Sequence, residues 1–172
     1  LGCPSIFLCN KINFSNTKLN NKSKILFNAP RNKQCNTSFF KPLKNDKNID
    51  LLYQDSYSKS KGNIIVPNGY QNWKDILKKY DFCIGTRIHG AIISLICNVP
   101  TLLLVIDSRT HELAEILNIP YINIINQEIK LENKNDIIDL INDYQFNYDN
   151  FNEYLDTFRN ILKKNLFEKL NI

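Results

Sequence analysis

The hydrophobic pattern along this chain switches repeatedly between short apolar runs and longer stretches with helical spacing. Apolar runs stand at residues 24–28 (KILFN), 62–66 (GNIIV), 82–84 (FCI), 101–106 (TLLLVI) and 121–125 (YINII). Four of them stop at turn-forming residues: Ala29-Pro30-Arg31, Pro67-Asn68-Gly69, Gly85 and Asp107-Ser108-Arg109. Runs of this length with such ends predict strands. Between them lie helical patterns. Residues 71–80 carry Trp73, Ile76, Leu77 and Tyr80 on one face. An apolar helix over 88–97 is broken by Asn98-Val99-Pro100, and a helix over 111–117 is closed by Asn118-Ile119-Pro120. Residues 135–144 and 151–170 predict two more helices. The last has a stripe of Tyr154, Leu155, Phe158, Ile161, Leu162 and Leu166 that reads as core or as a brace.

The remaining stretches are less regular. Residues 1–23 begin with a short apolar run and continue polar and Asn-rich, which reads as an inter-domain segment. Residues 32–48 read as a loop, and 48–53 fit helix and strand equally well. The domain itself should span 24–146, with 147–172 forming a C-terminal helix that braces it. Strands alternating with helices imply a mostly parallel sheet covered on both faces. The unbroken run LLLVI suits a central parallel strand. The expected fold is therefore α/β and Rossmann-like. The strands ending at residues 28, 66, 85 and 106 should be parallel neighbours.

Open α/β sheets bind ligands beyond the carboxyl ends of their strands. Here those ends gather Arg31, Arg87 and Arg109 on one rim, which makes the crevice an anion site. The turn Gly85-Thr86-Arg87-Ile88-His89-Gly90 is the richest part. Free N–H groups at a helix start favour an anion. Gly85 and Gly90 allow close backbone approach. Arg87 can grip a carboxylate or phosphate in bidentate fashion. His89 can move a proton near neutral pH. A structural reading stands beside this one: His89 as a helix-start cap, and Arg87 paired with Asp81 or Asp107. His111, the other histidine, reads as a surface residue.

Composition changes the picture little. The chain has 172 residues, enough for one domain with a real core, and contains no methionine, so it is expected to be a fragment. The net charge of +5 is uneven: residues 1–48 hold nine Lys or Arg against one Asp. These lysines are scattered among asparagines and read as a solvated segment, not a nucleic-acid surface. The five cysteines, Cys3, Cys9, Cys35, Cys83 and Cys97, show no metal-ligand spacing. Cys83 and Cys97 sit in apolar runs and read as small core residues. A reducing cytoplasm is the simplest setting, and no apolar run is long enough for a membrane span.

At these residues the sequence resembles the polysaccharide pyruvyl transferase family. The similarity runs from Gly2-Cys3-Pro4-Ser5 through KILFNAPR and GNIIVPNGYQNW to DFCIGTRIHGAIISLICNVPTLLLVIDSRTHELAEILNIP. The last segment, with its Gly-x-Arg-hydrophobic-His turn, is the most specific. The resemblance implies the C-terminal half of a glycosyltransferase-B-type protein, following an N-terminal Rossmann-like half. It implies transfer of a pyruvyl group from phosphoenolpyruvate to a sugar or lipid-linked saccharide, with no cofactor and no metal. Catalysis would fall to His89 and Arg87. Donor binding would involve Gly85, Thr86, Ile88, Gly90, Asp107, Ser108 and Arg109, with Arg31 matching the arginine after the first strand. Work in capsule or cell-wall assembly, in the cytoplasm and with a peripheral membrane contact kept open, follows from the resemblance alone. Two alternatives remain beside it: a nucleotide-sugar glycosyltransferase of the same architecture, and a non-catalytic anion-binding half-domain.

Overall fold

A computed structural model describes residues 4–14, 18–30, 39–54, 62–127 and 129–167. Six strands form one all-parallel sheet: β1 Ile25–Asn28, β2 Asp50–Leu52, β3 Asn63–Ile65, β4 Phe82–Gly85, β5 Thr101–Val105 and β6 Tyr121–Asn123. Their order is β3-β2-β1-β4-β5-β6. This is the doubly wound Rossmann arrangement, whose order reverses between β1 and β4. The helices are α1 Phe40–Leu43, α2 Gly69–Leu77, α3 Ile88–Ile96, α4 Ser108–Leu117, α5 Lys134–Asp143 and α6 Asp149–Leu162.

Strand side chains alternate between two cores, as the two-residue period requires. Ile25, Phe27, Phe82, Ile84, Leu102 and Leu104 face α1 and α5. Leu26, Cys83, Leu103 and Val105 face α2, α3, α4 and α6. Both faces are covered, so the strands read as continuous apolar runs rather than alternating ones. Cys83 is a small core residue here, and burial pushes its thiol pKa up to about 11.

Several boundaries differ from those the sequence suggests. The ambiguous stretch at 48–53 contains β2, which pairs with both β1 and β3. Consequently β3 and β1 share the sheet but are not neighbours. The stretch expected to be loop contains the short helix α1, whose Phe40 stacks on Phe27 with centroids 5.5 Å apart. The C-terminal helix ends at Leu162 and passes into a π-helical turn, Lys163–Phe167.

The segment before residue 24 is not a free linker where it is described. Ile6, Cys9 and Ile12 are buried against α3 and α6. The Asn152 side chain accepts from the Ile12 N–H at 2.8 Å and donates to the Ile12 carbonyl at 2.9 Å. Asn142 repeats this pattern with Leu19. Each asparagine amide pairs with a backbone as a neighbouring strand would, which satisfies polar groups that burial would otherwise strand. The Arg159 guanidinium adds a hydrogen bond to the Cys9 carbonyl.

On α6, Phe151, Leu155 and Phe158 are buried, Tyr154 and Leu162 are partly buried, and Ile161 is 37% exposed. The stripe is therefore one turn longer at its start than the sequence suggests and weaker at Ile161. Replacing Phe158 by Ala should destabilise the fold by about 3–5 kcal/mol, read as a shift in a urea melt. An effect below about 1 kcal/mol would mean that α6 is not seated in the core.

Candidate functional site

All six strands point the same way, so their carboxyl ends share one rim. A pocket of ≈ 140 Å³ opens there between the ends of β4 and β5. Its walls are Thr86, Arg87, Ile88 and His89 after β4, and Ile106, Asp107, Arg109, Thr110 and Leu113 after β5. The starts of α3 and α4 thus converge on one cavity.

The two helix starts are chemically unlike. At α4, the Asp107 side chain accepts from the Thr110 N–H at 2.7 Å, so the first turn is capped by its own carboxylate. At α3, the N-cap residue is Arg87 in extended geometry, with no side-chain cap. The first N–H groups of α3 are left for another acceptor. Thr86 adds a second signal. It is 3% exposed, it lines the pocket, and its hydroxyl has no hydrogen-bond partner among the described residues. Buried hydroxyls in native proteins nearly always have one. An uncapped helix N-terminus, an orphaned hydroxyl and Arg87 side by side are groups whose chemistry favours a small oxyanion.

Behind this pocket lies Asn28, the last residue of β1 and 1% exposed. Its amide accepts from Gln54 Nε2 at 2.9 Å and donates to the Arg87 carbonyl at 3.1 Å. A Cβ on Gly90 would stand 1.3 Å from Asn28 Nδ2, and one on Gly85 would stand 2.2 Å from the Asn28 carbonyl oxygen. Both glycines therefore admit Asn28, not a ligand. The amide fills the β1/β4 switch point, and the cavity sits one strand further over, between β4 and β5.

The structure brings Thr86, Arg87, Ile88, His89, Asp107 and Arg109 to one cavity. His89 and Arg109 are exposed and Arg87 is half-buried. Gly85 and Gly90 support the wall from behind, and Ser108 is exposed but off it. Arg31 lies outside the described residues. Thr110, Leu113, Asn28 and Gln54 were not legible as site residues. Thr110 was within reach, since a residue one turn beyond an Asp N-cap lies on the same side. His111 is half-buried and away from the cavity, 3.1 Å from the Tyr121 hydroxyl. Asp81, before β4, accepts from the Lys24 N–H at the opposite rim.

Fold and pocket together define a Rossmann-like α/β protein with a small pocket at the carboxyl rim, between the ends of β4 and β5. The family model for polysaccharide pyruvyl transferase matches residues 3–108, and the chain belongs to that family of transferases. No curated protein matches it. No solved structure matches it either. Among the described residues, no helix is long and apolar enough to cross a membrane.

The Asn28 contacts generate a test. Gly90→Ala should destabilise the protein by about 1–3 kcal/mol or more, because the new methyl overlaps a buried amide. Adding Asn28→Ala should restore part of that stability, since the overlapping atoms are gone. Thermal melts of both singles and the double check the non-additivity. Strictly additive losses would mean that Asn28 is not what Gly90 accommodates.

Proposed function

We propose that the carboxyl-rim pocket binds phosphoenolpyruvate and that the protein transfers its pyruvyl group to two hydroxyls of a sugar, forming a ketal. The observation that carries this reading is the orphaned Thr86 hydroxyl beside the uncapped start of α3. Membership of the family supports the pyruvyl chemistry. Phosphoenolpyruvate bears a phosphate and a carboxylate, and a pocket of ≈ 140 Å³ suits a small dianion better than a nucleotide-sugar. Asn28 also blocks the switch point where a pyrophosphate rests in dinucleotide-binding sheets.

In this mechanism the α3 N–H groups and the Thr86 hydroxyl hold one anionic end of the donor, and Arg87 holds the other. His89 gives a proton to the methylene carbon. The adjacent carbon becomes electrophilic, and a sugar hydroxyl attacks it. Phosphate leaves with the bonding electrons, and a second hydroxyl closes the ring. The two hydroxyl protons pass to phosphate and to the basic groups of the pocket, among which Asp107 is the carboxylate. The net change is phosphoenolpyruvate and a diol giving a ketal and phosphate. A preceding Rossmann-like half would supply the facing wall for the acceptor, which this reading takes to be a growing or lipid-linked saccharide on the cytoplasmic side of the membrane.

His89→Gln should leave melting unchanged and lower turnover by about 10²–10⁴-fold, measured as phosphate released from phosphoenolpyruvate with a saccharide acceptor. Normal turnover in a normally folded variant would remove His89 from the mechanism. Arg87→Ala should weaken donor binding, and Arg87→Lys should restore little, because the bidentate geometry is lost.

Thr86→Val separates binding from folding. Without donor it should be neutral or stabilising by up to about 1 kcal/mol, since a buried unsatisfied hydroxyl is removed. With donor it should bind more weakly in calorimetry. A destabilised variant with unchanged affinity would show that Thr86 serves the fold alone.

A further inference from the structure

A second cavity lies at the opposite rim, at the amino ends of β4 and β5, and has a volume of ≈ 640 Å³. That is within the ~300–1,000 Å³ of ligand clefts, and it is far larger than the anion pocket. Its floor and walls are aromatic: Phe14, Phe82, Tyr144, Phe146 and Tyr148. Phe146 is central to them, with ring centroids 5.5 Å from Phe82, 4.7 Å from Tyr144 and 6.1 Å from Tyr148.

These rings are held in place by their polar ends. The Tyr148 hydroxyl donates to the Thr101 carbonyl at 3.1 Å, and the Tyr144 hydroxyl donates to the Tyr121 carbonyl at 3.3 Å. Both hydroxyls are thereby committed to the scaffold, and the half-buried Phe14, Tyr144 and Phe146 border the space. Around the opening stand polar groups: Asn98, Gln145, Asp81 and Lys18, all exposed, with the one carboxylate and the one ammonium offsetting each other in charge. Asn98 is fixed in the left-handed region at φ 59°, at the end of α3. Asp81 uses one carboxylate oxygen on the Lys24 N–H at 2.8 Å, which fixes its orientation.

Aromatic faces inside a rim of amides, one carboxylate and one ammonium, with no net charge between the last two, match the two sides of a neutral pyranose. The C–H face of a sugar is apolar and slightly positive, so it suits the negative face of an aromatic ring. Its hydroxyls suit amide and carboxylate partners. An isoprenoid chain would leave that polar rim unmatched.

We propose that this cleft is a second saccharide-binding site, one that holds a neutral stretch of polymer away from the reacting sugar. The family's substrate class is a polysaccharide, and a polymer extends well beyond the residue being modified. The inference rests on that family membership and not on the phosphoenolpyruvate chemistry at the other rim.

The test uses the full chain with cellotetraose, chitotetraose and mannotetraose, followed by saturation-transfer NMR and calorimetry. At least one should bind, with saturation passing from aromatic protons to sugar C–H protons. Phe146→Leu should weaken that binding at least tenfold. Asn98→Gly, which keeps the left-handed backbone, combined with Gln145→Ala should do the same and leaves the core untouched if Phe146→Leu melts early. Arg87→Ala should leave it unchanged. The proposal is overturned if none of the three sugars binds, or if binding survives the cleft variants. It is equally overturned if binding is lost with Arg87→Ala, or if geranyl phosphate fills the cleft and no sugar competes. Phosphate release from phosphoenolpyruvate is a separate readout, so failure of this site leaves the donor reading standing, and the reverse.

Discussion

The Asn28 side chain at the centre of the sheet sets the geometry of the carboxyl rim. It is buried between β1 and β4, bonded to Gln54 on one side and to the Arg87 carbonyl on the other. A buried amide is stable only when its groups are paired, so these bonds fix the height of the β4–α3 turn. Gly85 and Gly90 follow as a steric necessity, because any side chain there would overlap Asn28. In related sheets the glycines at such a turn bring the backbone close to a ligand. Here they bring it close to the protein's own amide, and the carboxyl-rim pocket lies one strand away.

Electrostatics then distinguish the two helix starts that meet at that cavity. Asp107 satisfies the first turn of α4 and sets a negative charge there. The start of α3 carries no such cap and has Arg87 as its first flanking residue. The β4 side of the pocket therefore favours negative charge, and the β5 side carries a carboxylate of its own. Thr86 shows the same division of labour. A 97%-buried hydroxyl without a partner is unfavourable for the fold alone, and it is consistent with a group reserved for a ligand. Thr86 and the uncapped start of α3 both border one small pocket.

Asparagine does further work away from the site. Asn142 and Asn152 each exchange two hydrogen bonds with a backbone peptide, at Leu19 and Ile12. These pairs anchor the segment ahead of β1 to α5 and α6 without extending the sheet. Tyr148 does the same for the start of β5, accepting from the Thr101 N–H and donating to its carbonyl. A sheet of short strands is thus fastened at its amino rim by side chains that stand in for neighbouring strands.

Much of this was legible in the residue order. The apolar runs at β1, β4 and β5, their Gly, Pro and Asp ends, and the helical spacing between them determine a parallel α/β sheet, because only burial on both faces makes continuous apolar strands stable. The Thr86–His89 turn and Asp107 are fixed to the carboxyl rim by that topology alone. Other features could not be read locally. The strand at Asp50–Leu52 is three residues long, too short for its period to tell strand from helix, and only its pairing with β1 and β3 defines it. The segment around Ile6, Cys9 and Ile12 looked like a polar linker because its partners, Asn152 and α3, lie some 80 to 140 residues away. The role of Gly90 needed Asn28, which is distant in sequence and reaches it only once β1 and β4 pair. Sequence decided which residues stand at the rim, because strand ends are local. Tertiary structure decided which of them share a cavity, because that depends on contacts between side chains that no local pattern records.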